Sequence, residues 1–178
     1  MRKTGSLTDA AVKANAAASK SFRRSEGKRP TNKLAIVSCM DPRLNGMVRR
    51  LGLNEREVGV IRNAGGIINE DSIRSLLIVT RVLGAREIMV INHTDCGMGR
   101  FQGRDLKREL ERTTGEAPVS PARFYSFLDP EENVRKQVRR VKTHPWIHKD
   151  IPVRGFVYDV FTGRLREVEA SAPPKRSN

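Results

Sequence analysis

Three short, continuous apolar runs constrain the fold of this chain more than any other feature of its sequence. They span residues 34–37, 58–61 and 88–91, and most of their residues are β-branched. Apolar runs without polar alternation are typical of parallel strands buried on both faces of a sheet. Between the second and third runs, residues 69–84 show helical spacing, with capping side chains from Asn69 and a stop at Gly84. The order strand, helix, strand predicts a right-handed βαβ unit.

The remainder of the chain predicts further helices and an edge hairpin. Charged helices are expected over residues 104–112 and 131–141, and strands over residues 155–160 and 165–168. We therefore predict an α/β fold with a parallel β-sheet core, an antiparallel edge strand, flanking helices and an N-terminal helical arm. The predicted boundaries are 1–32 for the arm and its linker, 33–170 for the folded domain and 171–178 for a flexible tail.

The N-terminal arm is basic and weakly apolar. Residues 1–30 hold eight Lys/Arg and two Asp/Glu, in a chain whose formal net charge is +14. A helix is expected from Thr8-Asp9 through the alanines to Lys20, and its small apolar face needs the body or a second subunit to pack against. Basic chains attract polyanions. However, aromatic residues make up only 5% and none lies in a basic stacking pattern, so nucleic-acid binding is not expected.

Composition also bears on where the chain works. No apolar run approaches the ~18 residues of a membrane span, and no apolar segment follows the basic start as in a secretory signal. Two cysteines are too few for a disulfide scaffold. We therefore expect a cytoplasmic protein without membrane association.

Both cysteines and one histidine follow predicted strands. Cys39 follows the first strand, and His93 and Cys96 follow the third. If these strands are neighbours, the three side chains converge beyond the carboxyl end of the sheet, where sites of open α/β folds form. Cysteine and histidine are the preferred ligands of zinc, which takes four ligands in structural sites. The sequence therefore predicts one Zn²⁺ per chain, whose fourth position is either water or the Asp41 carboxylate. Buried structural cysteines are the alternative.

Three motifs resemble those of the β-class carbonic anhydrases. They are Cys-Met-Asp-Pro-Arg at 39–43, Arg-Asn-Ala-Gly-Gly at 62–66 and His-Thr-Asp-Cys-Gly-Met at 93–98, and the likeness extends over residues 33–168. The resemblance implies a homodimer or larger homo-oligomer. It also implies zinc ligands at Cys39, His93 and Cys96, and a catalytic dyad of Asp41 and Arg43. In some members the aspartate instead closes the fourth zinc position.

The implied reaction is that of a zinc lyase, a carbonate dehydratase: the reversible hydration of CO2 to bicarbonate by a hydroxide on zinc, oriented by the dyad. Arg43 would keep Asp41 ionised, since a nearby opposite charge favours the charged form. The turn formed by Ala64, Gly65 and Gly66 would leave room for a linear apolar substrate, or is simply a tight turn. Some short members of the family hydrolyse carbonyl sulfide or carbon disulfide, which is the alternative activity. A third hypothesis is a zinc-stabilised module that binds a polyanion through its basic arm.

Overall fold

The computed structural model describes residues 6–22, 31–117, 120–121 and 123–169. The chain divides into two compact units, one ending at Pro30 and one beginning at Thr31. Most of the predicted linker and the whole predicted tail at 171–178 lie outside the described residues. The predicted domain boundaries therefore stay predictions.

The first unit contains helix α1, Leu7–Ala18, followed by a 3-10 turn at Ser19–Ser21. Its N-cap is Ser6, whose hydroxyl accepts a hydrogen bond from the backbone N–H of Asp9 at 3.4 Å. The predicted start at Thr8-Asp9 is therefore wrong, because the observed cap lies two to three residues earlier, which is more than half a turn at about 3.6 residues per turn. The Ser6 hydroxyl provides the cap, and Asp9 lies in the first turn, where a carboxylate favours the helix dipole. None of the residues of α1 is buried.

The second unit is built on one five-stranded sheet. Its strands have the spatial order β2-β1-β3-β4-β5. The first four run parallel and β5 is antiparallel to β4. This arrangement, with helices against the sheet, confirms the predicted fold class. The strands are β1 Leu34–Cys39, β2 Val58–Asn63, β3 Glu87–His93, β4 Val153–Tyr158 and β5 Leu165–Val168.

Helices cover the two faces of the sheet unequally. The helices α3 and α5 pack on one face, where Leu76 and Val138 join a core with the strand residue Val37. The short α2 packs on the other face, where Met47 contacts a cluster that includes Cys39. Side chains of alternate strand residues thus enter opposite cores. The helices of this unit are α2 Met47–Arg50, α3 Glu70–Arg81, α4 Gly103–Thr114 and α5 Pro130–Thr143.

Local signals explain where α3 begins and ends. The side chain of Asn69 accepts a hydrogen bond from the N–H of Ser72 at 2.9 Å, which caps the helix as predicted. The helix ends at Arg81, earlier than the predicted stop at Gly84, which has the left-handed φ of +89° in the following turn. In the part of the chain that the structure describes, no helix is long and apolar enough to cross a membrane.

The topology determines where the site lies. β1 and β3 are parallel neighbours, with Ser38 opposite Ile91. Their carboxyl ends, at Cys39 and His93, therefore meet at the same edge of the sheet. This adjacency was the condition on which the predicted convergence of the ligands depended, and it is confirmed.

Candidate metal centre

Cys39, His93 and Cys96 form a compact cluster at the carboxyl edge of the sheet. Cys39 is the last residue of β1, His93 is the last residue of β3, and Cys96 precedes a 3-10 turn at Gly97–Gly99. One ligand atom from each lies within 4.8 Å of the others, and the two sulfur atoms are 3.9 Å apart. Two thiols and an imidazole at this spacing are a donor set typical of zinc.

The imidazole of His93 supports a metal in this cluster. The ring is fully buried, and its Nδ1 lies 2.9 Å from the carbonyl oxygen of Thr94. A carbonyl only accepts, so Nδ1 holds the proton and Nε2 offers a lone pair. Among the described residues Nε2 has no hydrogen-bond partner. A buried nitrogen without a partner costs free energy, so the cluster fits an ion that would accept this lone pair.

The two thiols share their protons unequally in the metal-free chain. The hydrogen bond between the two thiols lowers the pKa of Cys39, against a smaller raising effect of burial. The same bond raises the pKa of Cys96. The backbone N–H of Gly65 also donates to the Cys39 sulfur, at 3.4 Å. Negative charge on sulfur is therefore stabilised at Cys39 before any cation arrives.

Asp41 and Arg43 form a bidentate ion pair beside this cluster. Nε of Arg43 donates to Oδ1 of Asp41 at 3.0 Å, and Nη2 donates to Oδ2 at 2.8 Å. The hydrogen bond from Arg43 lowers the pKa of Asp41 to about 2, so the carboxylate is ionised at neutral pH. Oδ2 of Asp41 lies 3.9 Å from Nε2 of His93. The carboxylate thus borders the cluster while it is paired with arginine.

Two further residues hold the pair, and the sequence analysis did not identify either role. Asp95 receives a hydrogen bond from Nη1 of Arg43 at 2.8 Å. Arg62 donates to the carbonyl oxygens of Cys39 and Asp41 at 3.0 and 2.7 Å. Both residues belong to the motifs that carried the family resemblance, and this was the available signal. Their partners depend on the strand register, which local spacing does not reveal.

The turn at 64–66 requires its glycines. Gly65 and Gly66 have φ values of +83° and +60°, which side chains rarely adopt. A Cβ on Gly66 would lie 3.2 Å from the backbone N of Cys39, and one on Gly65 would lie 3.0 Å from the side chains of Met98 and Phe127. The tight-turn interpretation is therefore correct. The same geometry leaves the pocket interpretation open, since bare backbone faces Met98 and Phe127 beside the cluster.

Comparison with known proteins agrees with this geometry. Residues 34–165 match the family model described as carbonic anhydrase. The chain is 48% identical over 140 residues to β-carbonic anhydrase 1 of Mycobacterium tuberculosis, with 78% of this chain and 83% of that protein covered. It is 34% identical over 168 residues to the carbon disulfide hydrolase of Acidianus sp. (strain A1-3), with 82% of each covered.

A solved structure supports the same assignment. The crystal structure of a carbonic anhydrase from Streptococcus mutans matches this fold with a TM-score of 0.79 and 38% sequence identity, covering 92% of this chain and 98% of that one. The resemblance predicted from the three motifs is confirmed. Sequence, fold and donor set agree that this chain belongs to the β-carbonic anhydrase family.

Proposed function

We propose that this protein is a zinc-dependent carbonic anhydrase that catalyses the reversible hydration of CO2 to bicarbonate. The observation on which this depends most is the ionised, arginine-bound Asp41, which borders the Cys39, His93 and Cys96 cluster. The 48% identity to a β-carbonic anhydrase supports the same choice of substrate. Cys39, His93 and Cys96 would hold one Zn²⁺ per chain.

Each residue of the site has a separate task. Zinc in this cluster would lower the pKa of bound water to about 7 and so make hydroxide available near neutral pH. Asp41 accepts a hydrogen bond from the attacking oxygen and so orients a lone pair toward carbon. Arg43 keeps Asp41 ionised and holds it away from the cluster through two parallel hydrogen bonds. The Nδ1 contact to Thr94 fixes the tautomer in which His93 can act as a ligand.

The substrate would lie against the 64–66 turn. CO2 is linear and apolar, and it gains little from hydrogen bonds before reaction. Ala64, Gly65 and Gly66 provide backbone with little bulk, and the side chains of Met98 and Phe127 approach Gly65 closely. An apolar wall of this kind excludes water from the reacting carbon.

Hydrolysis of carbon disulfide or carbonyl sulfide is the second candidate. It is favoured by the 34% identity to the carbon disulfide hydrolase of Acidianus, which covers 82% of each chain. The same metal site and the same ionised carboxylate would serve either reaction, because both substrates are linear molecules attacked at carbon. We prefer CO2 because the identity to the carbonic anhydrase of Mycobacterium tuberculosis is higher.

We also infer that the chain works as a homodimer or larger homo-oligomer in the cytoplasm. Helix α1 supports an assembly, since its apolar residues Leu7 and Val12 are exposed. Sedimentation velocity would test this inference. A monomer at micromolar concentration would contradict it.

Stopped-flow hydration of CO2 by the zinc-loaded protein, over about pH 6.5–9 where zinc-bound water ionises, tests the proposal. Carbonyl sulfide and carbon disulfide are measured in parallel. Fast CO2 turnover that rises with pH is the expected result. No measurable hydration of CO2, together with release of sulfide from either sulfur compound, would assign the second activity instead.

Variants of the dyad separate catalysis from metal binding. We expect Asp41→Ala and Arg43→Ala to lower kcat by about 10²-fold or more, as loss of a proton-handling group does, while zinc content stays near one per chain. Arg43→Lys keeps the charge but loses the bidentate contact, so it rescues only part of the rate. Arg49→Ala is the matched control, because Arg49 is exposed and its side chain pairs only with Glu55 among the described residues. Full turnover by both dyad variants would rule out the proposed roles.

A further inference from the structure

We propose that Asn133 of α5 is a positioning residue for the metal centre. It acts through Asn92, which fixes the turn whose Gly65 N–H donates to the Cys39 sulfur. This inference rests on the proposed function only in that the cluster of Cys39, His93 and Cys96 binds zinc. It adds helix α5, on one face of the sheet, to the parts of the fold that determine the ligand geometry.

A network of four hydrogen bonds links α5 to the turn, and each of them involves at least one side-chain amide. Nε2 of Gln137 donates to Oδ1 of Asn133 at 2.8 Å. Nδ2 of Asn133 donates to Oδ1 of Asn92 at 2.7 Å. Nδ2 of Asn92 donates to the carbonyl oxygen of Gly65 at 3.0 Å. The N–H of Ile68 donates back to Oε1 of Gln137 at 2.9 Å. The amide chain therefore holds the backbone at Gly65, within the turn, and at Ile68, two residues after it.

Burial makes this chain of contacts rigid and specific. Asn92, Asn133 and Gln137 are exposed by only 1%, 5% and 8%. A buried amide group that loses its partner destabilises the fold, so no member can rotate away alone. Each amide also has its oxygen and nitrogen assigned by its partners, because an acceptor must face a donor at every step. The network therefore holds one conformation of the turn.

The conformation of the turn determines a hydrogen bond to the metal centre. Gly65 has the left-handed φ of +83°, and its N–H lies 3.4 Å from the sulfur of Cys39. Its carbonyl is the group that Asn92 holds. Because the held carbonyl and the donating N–H both belong to Gly65, loss of the Asn92 contact would let the peptide before Gly65 tilt. The hydrogen bond to the ligand sulfur would then lengthen, and the charge on sulfur would be less stabilised.

A purely structural role predicts something different. Asn133 would then stabilise the packing of α5 on the sheet, and its loss would lower the free energy of unfolding without altering the metal site. Val138 is the matched comparison, since it lies on the same helix, is 2% exposed and packs in the core on that face. Truncation of Val138 also destabilises the fold, by leaving a cavity, but it removes none of the four hydrogen bonds of the amide chain.

The experiment compares Asn133→Ala with Val138→Ala in the full chain. The zinc dissociation constant is measured by competition with a chromophoric chelator, and the thiolate-to-cobalt charge-transfer band is recorded on the Co²⁺-substituted proteins. Asn133→Ala is expected to weaken zinc binding about tenfold, at the low end of the effect of outer-shell partners, and to shift the cobalt band. Val138→Ala should leave the affinity within about twofold and the band unmoved, since it changes packing only.

A second variant covers the case in which Asn133→Ala does not fold. Gln137→Met keeps the length of the side chain but removes the amide contacts to Asn133 and Ile68, and a smaller change in the same direction is expected. Equal affinities and identical cobalt bands for the asparagine and valine variants would overturn the proposal. Zinc binding without CO2 turnover would remove the proposed function and leave this inference intact. A native chain that binds no zinc would overturn both.

Discussion

Arg43 is bound to Asp95 as well as to Asp41, because its Nη1 lies 2.8 Å from Oδ2 of Asp95 while Nη2 lies 2.8 Å from Oδ2 of Asp41. Nη2 also donates to the backbone oxygen of Asp95 at 2.8 Å. Asp95 has the left-handed φ of +51°, which costs free energy for a residue other than glycine. The strained residue places its Oδ2 and its backbone oxygen toward the guanidinium of Arg43. Arg43 therefore keeps an anionic partner even when Asp41 moves, and its position does not depend on the dyad alone.

The first prediction concerns this second partner. Asp95→Asn keeps the shape of the side chain and tolerates a positive φ, but it removes the negative charge. We expect kcat for CO2 hydration to fall about threefold to tenfold, which is less than for loss of a proton-handling group. Arg100→Ala is the control, because exposed Arg100 also pairs with Asp95, at 3.0 Å, and surface pairs contribute little. If Asp95→Asn lowered kcat as much as Arg43→Ala does, Asp95 would do more than hold Arg43 in position, and this prediction would be wrong.

The second prediction concerns pH and the Asp41–Arg43 pair in the metal-free protein. Hydrogen bonding by Arg43 lowers the pKa of Asp41 from 3.8 to about 2. A carboxyl whose pKa is lowered by folding stabilises the fold above its unfolded pKa and loses that contribution as the pH falls through its folded pKa. The difference in melting temperature between native and Asp41→Asn protein should thus be constant above about pH 4 and shrink between about pH 4 and 2. In an Arg43→Ala background this pH dependence should disappear, and its persistence would show that another group causes it.

The sequence was sufficient to predict the sheet and the ligand cluster. Short β-branched runs identified β1, β2 and β3, and residues that end parallel strands converge at one edge. Cys39 and His93 therefore could be brought together from strand ends alone. The bidentate contact of Asp41 with Arg43 could also be predicted, since only Pro42 lies between them.

The supporting contacts could not be predicted in the same way. Arg43 reaches Asp95 across 52 positions, and Asn92 reaches Asn133 across 41, so both depend on the packing of distant elements. A signal for the second contact did exist. Asn133 and Gln137 lie four residues apart, next to the apolar line of Val134, Val138 and Val141 on α5, where buried amides require partners. The N-cap of α1 was misplaced because Ser6, Thr8 and Asp9 are all competent caps.

The third prediction concerns the number of protons that the protein releases when zinc binds. The hydrogen bond between the two thiols lowers the pKa of Cys39 and raises the pKa of Cys96, so we expect one proton on the pair near neutral pH in the metal-free chain. His93 Nε2 has no partner in the described part of the chain and holds no proton in the tautomer that Thr94 fixes. Zinc binding near neutral pH should therefore release about one proton per chain from the thiol pair. Calorimetry in two buffers of different ionisation heat measures the count. Release of two protons would mean that both thiols are protonated before zinc binds.

The last prediction separates backbone strain from crowding at the 64–66 turn. Gly66 and Gly52 both have positive φ, +60° and +72°, so an alanine at either position pays about 1–2 kcal/mol for a left-handed backbone. The two positions differ in the room available for an added Cβ. A Cβ on Gly66 would lie 3.0 Å from Nδ2 of Asn92 and 3.1 Å from the carbonyl carbon of Ser38, whereas a Cβ on Gly52 meets nothing within 4 Å. Gly66→Ala should therefore lower the free energy of unfolding by about 1–3 kcal/mol more than Gly52→Ala, the usual cost of overpacking.

Urea denaturation of the two metal-free variants measures that difference, and zinc affinity gives the second readout. Because the crowding displaces both Asn92 and the end of β1, Gly66→Ala should also weaken zinc binding, whereas Gly52→Ala should not. Equal destabilisation by the two variants would mean that the turn shifts enough to accommodate an added methyl group. The close approach of Gly66 to Cys39 would then be unnecessary for the geometry of the metal centre.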